Sequence, residues 1–183
     1  MTRGAPQILI AGIGNVFLGD DGFGVEMVRR LAAWPPTGGI TVQDFGIRGL
    51  DLAYALLDPY DAVIFVDAAA RGGSPGTLYL IEPQIDSSGA ATLDAHGMDP
   101  VKVLALARAM GAPPTKVYVV ACEPGFIPPP DSDDVVMELT APVEAAVGEA
   151  VKMVQVLIED IVGMDRRSVG ILPSARGGEI LCD

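Results

Sequence analysis

Apolar residues along this chain fall into two patterns: short continuous runs, and longer stretches where they recur every three or four positions. Gln7-Ile-Leu-Ile-Ala11 is of the first kind and reads as a buried strand. Val25, Val28, Leu31 and Ala32 then follow at helical spacing through Gly22–Ala33. The segment Trp34-Pro35-Pro36-Thr37-Gly38-Gly39 stops that helix, because proline supplies no amide and disfavours helix in the residue before it. Ile40–Asp44 is a second strand and Gly49–Leu57 a second helix. Ala62-Val-Ile-Phe-Val-Asp67 is a continuous apolar third strand, of the kind covered on both faces. Strands alternating with helices in this way imply a parallel sheet.

The next connection breaks the rhythm. Only nine residues, Ala68 to Gly76, separate the third strand from Thr77–Ile81, whereas a parallel crossover needs a dozen or more. The strand at 77–81 is therefore expected to run antiparallel to its neighbours. A polar loop (Glu82–Asp94), a helix over Pro100–Met110 and a fifth strand over Lys116–Ala121 follow. A Pro-rich loop from Pro124 to Asp134 leads to a long helix from about Ala141 to Val162. Residues 1–162 are expected to form one α/β domain, and 163–183, with Gly163, Gly170, Pro173 and Gly177-Gly178, a loosely ordered tail.

Composition narrows the functions. The 183 residues are 50% hydrophobic and 20% charged, which suits a packed core and not a disordered chain. Twelve Lys+Arg against 24 Asp+Glu give a net charge of −12, which argues against a nucleic-acid or anionic-membrane surface. One His, His96, and two Cys, Cys122 and Cys182, cannot build a zinc finger, an iron–sulfur site or a disulfide framework within one chain. Any metal site must lean on carboxylates. The apolar run Ile8–Ile13 is broken by Gly14-Asn15 and then Asp20-Asp21, unlike a signal peptide. The stretch Glu144–Val162 carries Glu149, Lys152, Glu159 and Asp160, too much charge to span a bilayer. The expected location is the cytoplasm, with both thiols reduced.

In a doubly wound sheet, ligands bind beyond the carboxyl ends of the parallel strands. The residues expected there are Gly12-Ile-Gly14-Asn15 through Asp20-Asp21, then Asp44, Asp67 and Cys122-Glu123, with His96 in the loop feeding the third helix. A dinucleotide fingerprint does not fit, because its third glycine falls on Phe17 and Asp20-Asp21 would repel a pyrophosphate. The glycines otherwise permit a tight turn, and one acid of the pair suits a helix cap. Cys122 lies between an apolar strand and Glu123, which disfavours a thiolate, and no Gly-x-Ser-x-Gly elbow is present. Asp67 closes an apolar run, where a buried acid needs a turn amide or a cation. Asp21, Asp67 and His96 together would make a mixed oxygen and nitrogen site for a borderline divalent ion such as nickel or zinc, with coordination positions left open.

The string Gly12-Ile-Gly14-Asn15-Val-Phe-Leu-Gly19-Asp20-Asp21-Gly22-Phe-Gly24-Val25 closely resembles the opening signature of the hydrogenase maturation endopeptidases, the HybD/HycI-like family. The likeness continues through Ile64-Phe-Val-Asp67-Ala68, Ala95-His96-Gly97 and Val119-Val-Ala-Cys122-Glu123-Pro124, covering about residues 8 to 162. The resemblance implies a three-layer α/β/α peptidase domain with a five-stranded, mostly parallel sheet and one antiparallel strand. It also implies that Asp21, Asp67 and His96 bind the metal and direct cleavage. Asp44-Phe-Gly46-Ile-Arg-Gly49 departs from the family's more usual Asp-Gly-Gly-Thr-x-Gly, so no threonine role transfers there.

What the resemblance implies for function is removal of a C-terminal extension from the nickel–iron hydrogenase large-subunit precursor after nickel insertion. Nickel is then expected to arrive with the precursor, with no organic cofactor, and Asn15 is a candidate for steadying the oxyanion. Two other readings use the same three residues: a non-hydrolytic chaperone that senses nickel loading, and a metallohydrolase of small substrates.

Overall fold

The computed structural model of the protein describes residues 5–33, 38–83, 100–111, 116–129 and 131–168. Five strands, β1 (Ile8–Ile13), β2 (Ile40–Gly46), β3 (Ala62–Ala68), β4 (Leu78–Ile81) and β5 (Lys116–Cys122), form one sheet in the order β2-β1-β3-β5-β4. β1 pairs in parallel with β2 and β3, in registers that set Ile8 opposite Ile40 and Ala62. β3 pairs in parallel with β5, and β4 lies antiparallel to β5, Leu78 facing Cys122. The nine-residue connection thus has the antiparallel consequence expected of it.

Period-two alternation divides the strands between two cores. Ile8 and Ile10 of β1, Ile64 and Val66 of β3 and Val120 of β5 face one side, where α1 (Phe23–Ala32) and α4 (Ala141–Ser168) cover them. Leu9, Ala11, Val63, Phe65 and Val119 face the other side, against α2 (Gly49–Ala55) and α3 (Pro100–Met110). Every residue of β1 is buried, which is why its sequence shows a run and not an alternation. The architecture is the three-layer α/β/α arrangement with one antiparallel strand.

α1 illustrates how the layers hold. Phe23, Met27 and Leu31 recur every fourth residue and are fully buried, each worth about 1.5–3 kcal/mol of transfer free energy. Its outer face pairs Arg30 Nε with Glu26 at 2.9 Å, one helical turn away. α4 continues to Ser168, six residues past the expected end near Val162, so Gly163 lies inside the helix. A glycine in a helix lowers propensity by about 1 kcal/mol but does not oblige the chain to leave it. The rest of the expected tail, 169–183, lies outside the described residues. Among the described residues no helix is long and apolar enough to cross a membrane.

Candidate active site

The carboxyl edge of the sheet is shaped by three glycines of the β1–α1 segment. Gly12 has no room for a side chain: a β-carbon there would stand 2.6 Å from the Gly24 carbonyl oxygen and collide with Val28. A β-carbon on Gly24 would collide with the carbonyl oxygens of Ile13 and Val66. The first turns of α1 therefore rest directly on the carboxyl ends of β1 and β3. Gly14 has φ of 122°, and a β-carbon on it would overlap the Asp21 carbonyl. The loop folds back on itself there, which only glycine permits. The Gly12-x-Gly14 pair serves close packing and a left-handed turn, and its purpose is to seat Asp21.

Asp21 is 8% exposed, in a short 3-10 turn at Gly19–Gly22. Its Oδ2 accepts the Asn15 amide at 2.7 Å. Burial raises its pKa above the ordinary carboxyl value, against the opposing pull of that Asn15 bond. Asp67, at the end of β3, is also 8% exposed, and its Oδ1 accepts the Ala68 amide at 2.8 Å. It follows Val66, against which Gly24 is packed, and Asp21 lies three residues before Gly24, so one contact between helix and strand joins the segments that carry the two acids. Alternation along β3 turns Asp67 toward the α2/α3 side.

His96 lies outside the described residues. Among the described residues no three His, Cys, Asp or Glu side chains converge as a metal-ligand group. Asn15 works locally: its Oδ1 accepts the Phe17 amide at 3.0 Å and its carbonyl accepts the Leu18 amide at 3.0 Å. Its amide and side-chain oxygen thus hold the loop and Asp21 in place.

The remaining acids of this edge each have partners within the fold. Neither member of the Asp20-Asp21 pair caps the helix through its side chain. Asp20, fully buried, instead accepts the amides of Gly125 and Phe126 at 2.7 and 2.8 Å, and the amide and hydroxyl of Thr140 at 2.6 and 2.8 Å. This carboxylate joins the β1–α1 loop to the segment between β5 and α4. Sequence reasoning missed that role, and no local signal carries it, since the partners lie 105 to 120 positions away.

Asp44 is engaged by Arg29 at 3.4 Å, and its carbonyl accepts a bond from Arg48. Glu123 accepts the amides of Arg71 and Gly72 at 2.8 and 3.1 Å and the Tyr79 hydroxyl at 2.9 Å. Burial alone would raise its pKa, but these donors outweigh burial and hold it below the ordinary glutamate value. Cys122 packs into the α1/α4 core, and burial, with Asp20 and Glu123 nearby, pushes its thiol up to about 12. A thiol so placed is no nucleophile at neutral pH.

Beside the Asp21 turn, a groove of about 490 Å³ opens between α1 and the segment 137–139, lined by Val16, Gly22, Met137 and Glu138 among others. Asp21 lies one residue from this groove and Asp67 ends β3 at the same sheet edge; buried carboxylates so placed can orient a substrate, bind a cation or move a proton.

Comparison with known proteins bears on the family and the fold. A sequence model described as hydrogenase maturation protease matches residues 25–168. The chain is 33% identical over 153 residues to the hydrogenase expression/formation protein HupD of Rhizobium leguminosarum bv. viciae, covering 81% of this chain and 72% of that one. It is 31% identical over 176 residues to HupD of Bradyrhizobium diazoefficiens, covering 93% and 88%. Among solved structures, the hydrogenase maturating endopeptidase HybD from E. coli superposes with a TM-score of 0.69 at 25% identity, covering 84% of this chain and 93% of that one. The hydrogenase 2 maturation peptidase of a Thaumarchaeota archaeon does so at 0.63 and 30%, covering 84% and 98%. With sequence and fold in agreement over most of its length, the chain belongs to the hydrogenase maturation protease family and is a peptidase.

Proposed function

We propose that this peptidase removes the C-terminal extension of a nickel–iron hydrogenase large-subunit precursor once nickel is in place, and that Asp21, Asp67 and His96 recognise the nickel the precursor carries. The observation that carries the reading is that the Gly24–Val66 contact, three residues after Asp21 and one before Asp67, joins the segments bearing the two buried acids at the carboxyl edge of the sheet. Both are buried, and burial holds the Asp21 carboxyl above its ordinary pKa. A cation beside such a carboxylate offsets its desolvation, so the donor set suits a divalent ion brought by the substrate. His96 precedes Pro100, the first residue of α3, by four positions, and α3 packs on the face toward which Asp67 turns.

The logic is positioning. Precursor-bound nickel held by these ligands fixes the scissile peptide against the sheet edge, which makes hydrolysis effectively intramolecular and conditional on nickel insertion. Water adds to the scissile carbonyl carbon, the C–N bond breaks and the leaving nitrogen takes a proton. Asn15 acts by orienting Asp21.

Mass spectrometry of the precursor after incubation, with and without nickel, tests the reading. The wild-type chain should shorten only the nickel-loaded form, and Asp21→Ala, Asp67→Ala and His96→Ala should each abolish shortening. Full-rate trimming by those variants would remove the ligand assignment, and equal trimming of nickel-free precursor would remove the nickel requirement.

A further inference from the structure

Four large apolar side chains stand out in solvent beside the Asp21 turn. Phe17, Phe126, Val135 and Met137 are 51%, 48%, 68% and 66% exposed. They do not sit on loose loops. The Val136 amide bonds the Phe17 carbonyl at 2.9 Å, the Gly19 amide bonds the Val136 carbonyl at 2.6 Å, and the Asp20 amide bonds the Phe126 carbonyl at 3.0 Å. The β1–α1 loop and two stretches of the β5–α4 connection, more than a hundred positions away, are thus sewn together with these apolar side chains exposed, a surface that costs solubility unless a partner covers it.

Charge indicates which partner. Asp133, Asp134 and Glu138 interleave with Val135 and Met137 and are exposed, and none of the three forms an ion pair with a described residue. In the adjoining groove Glu26 and Glu144 share Arg30, and Arg29 pairs with Asp44, so Glu138 is the groove carboxylate left to a visitor. Gly22, also lining the groove, follows Asp21 directly, so whatever fills the groove is adjacent to the site.

We infer that this surface docks a segment of the precursor that carries apolar side chains and a lysine or arginine, the basic group pairing with Glu138. The inference rests on the proposed protease function and names how its substrate is held. A second copy of this chain is a poor occupant, because it would set the same acids against one another at a net charge of −12 each. An anionic membrane is repelled by the same charge.

Binding of nickel-loaded precursor to the immobilised full chain, measured at low and high salt beside cleavage kinetics, tests this. The triple variant Asp133→Asn, Asp134→Asn, Glu138→Gln should weaken binding about tenfold at low salt and flatten its salt dependence. It should raise KM with kcat unchanged. Val135→Ser with Met137→Ser should weaken binding without altering the salt slope. Unchanged binding and KM in both would overturn the docking surface. So would a concentration-dependent dimer of the wild type that the serine variant dissolves, since that assigns the face to a second copy. Precursor that binds but is never shortened would sink the protease reading and leave the docking surface standing.

Discussion

Thr140 bonds Asp20 twice, through its amide at 2.6 Å and its hydroxyl at 2.8 Å, across 120 positions of sequence. The relationship explains why two acids stand side by side in the β1–α1 turn. Asp20 turns inward as a fastener and Asp21 is held at the sheet edge by the Asn15 amide, so the two neighbours face different partners.

Asp20→Ala should therefore cost about 3 kcal/mol or more, since it strips the acceptor from three backbone amides and a hydroxyl and each buried donor left unsatisfied costs about 1–3 kcal/mol. Thr140→Val, which removes only the hydroxyl, should cost about 1 kcal/mol. Urea denaturation measures both. Equal costs would show that the three amide bonds to Asp20 add nothing beyond the Thr140 hydroxyl bond, against the fastener role.

Gly24→Ala should separate α1 from β3, because the added methyl meets the Ile13 and Val66 carbonyl oxygens. The expected loss is about 1–3 kcal/mol, typical of overpacking, with loss of cleavage even where the protein remains folded. Gly148→Ala is the control, since a β-carbon there meets nothing and the residue lies mid-helix in α4. That change should raise stability by up to about 1 kcal/mol.

The raised Asp21 pKa predicts a trade between stability and function. A carboxyl whose folded pKa exceeds its unfolded value binds protons more tightly when folded. Its burden on the fold therefore grows as pH climbs from the unfolded value toward the folded one, and is complete above it. Asp21→Asn should be more stable than wild type at neutral pH, with the advantage fading in acid, and should not cleave. Thermal melts across pH read this directly, and a stability gap independent of pH would contradict it.

Cys122, with a thiol at about 12, should resist alkylation in the folded protein at pH 8 and react only on unfolding. Cys122→Ala should retain the wild-type cleavage rate. Peptide mapping locates the modification, and a strong loss of kcat in the alanine variant would restore the thiol to the chemistry.

Much of this molecule was written locally. The runs at Ile8–Ile13 and Ala62–Ala68, the helical spacing of Val25, Val28 and Leu31, and the short Ala68–Gly76 connection carry the sheet, α1 and the one antiparallel strand. These are consequences of period and chain length, which neighbouring residues suffice to specify. Asp21 and Asp67 were legible as edge acids for the same reason, because each closes or follows a predicted strand.

What each edge acid does was decided only in three dimensions. Asp20, Asp44 and Glu123 look no different in sequence from Asp21 and Asp67. Yet Asp20 is consumed by Thr140 and the Gly125–Phe126 amides, Asp44 by Arg29 and Glu123 by the Arg71–Gly72 amides and Tyr79. The end of α4 was likewise misjudged from Gly163, since packing of Leu157, Ile158 and Ile161 on the sheet carries the helix through a residue of low propensity. Sequence by itself determined which residues reach the edge, because that depends on strand period and turn chemistry. Tertiary structure decided which carboxylates are spent holding it together, because a hydrogen bond is satisfied by proximity in space, whatever the separation along the chain.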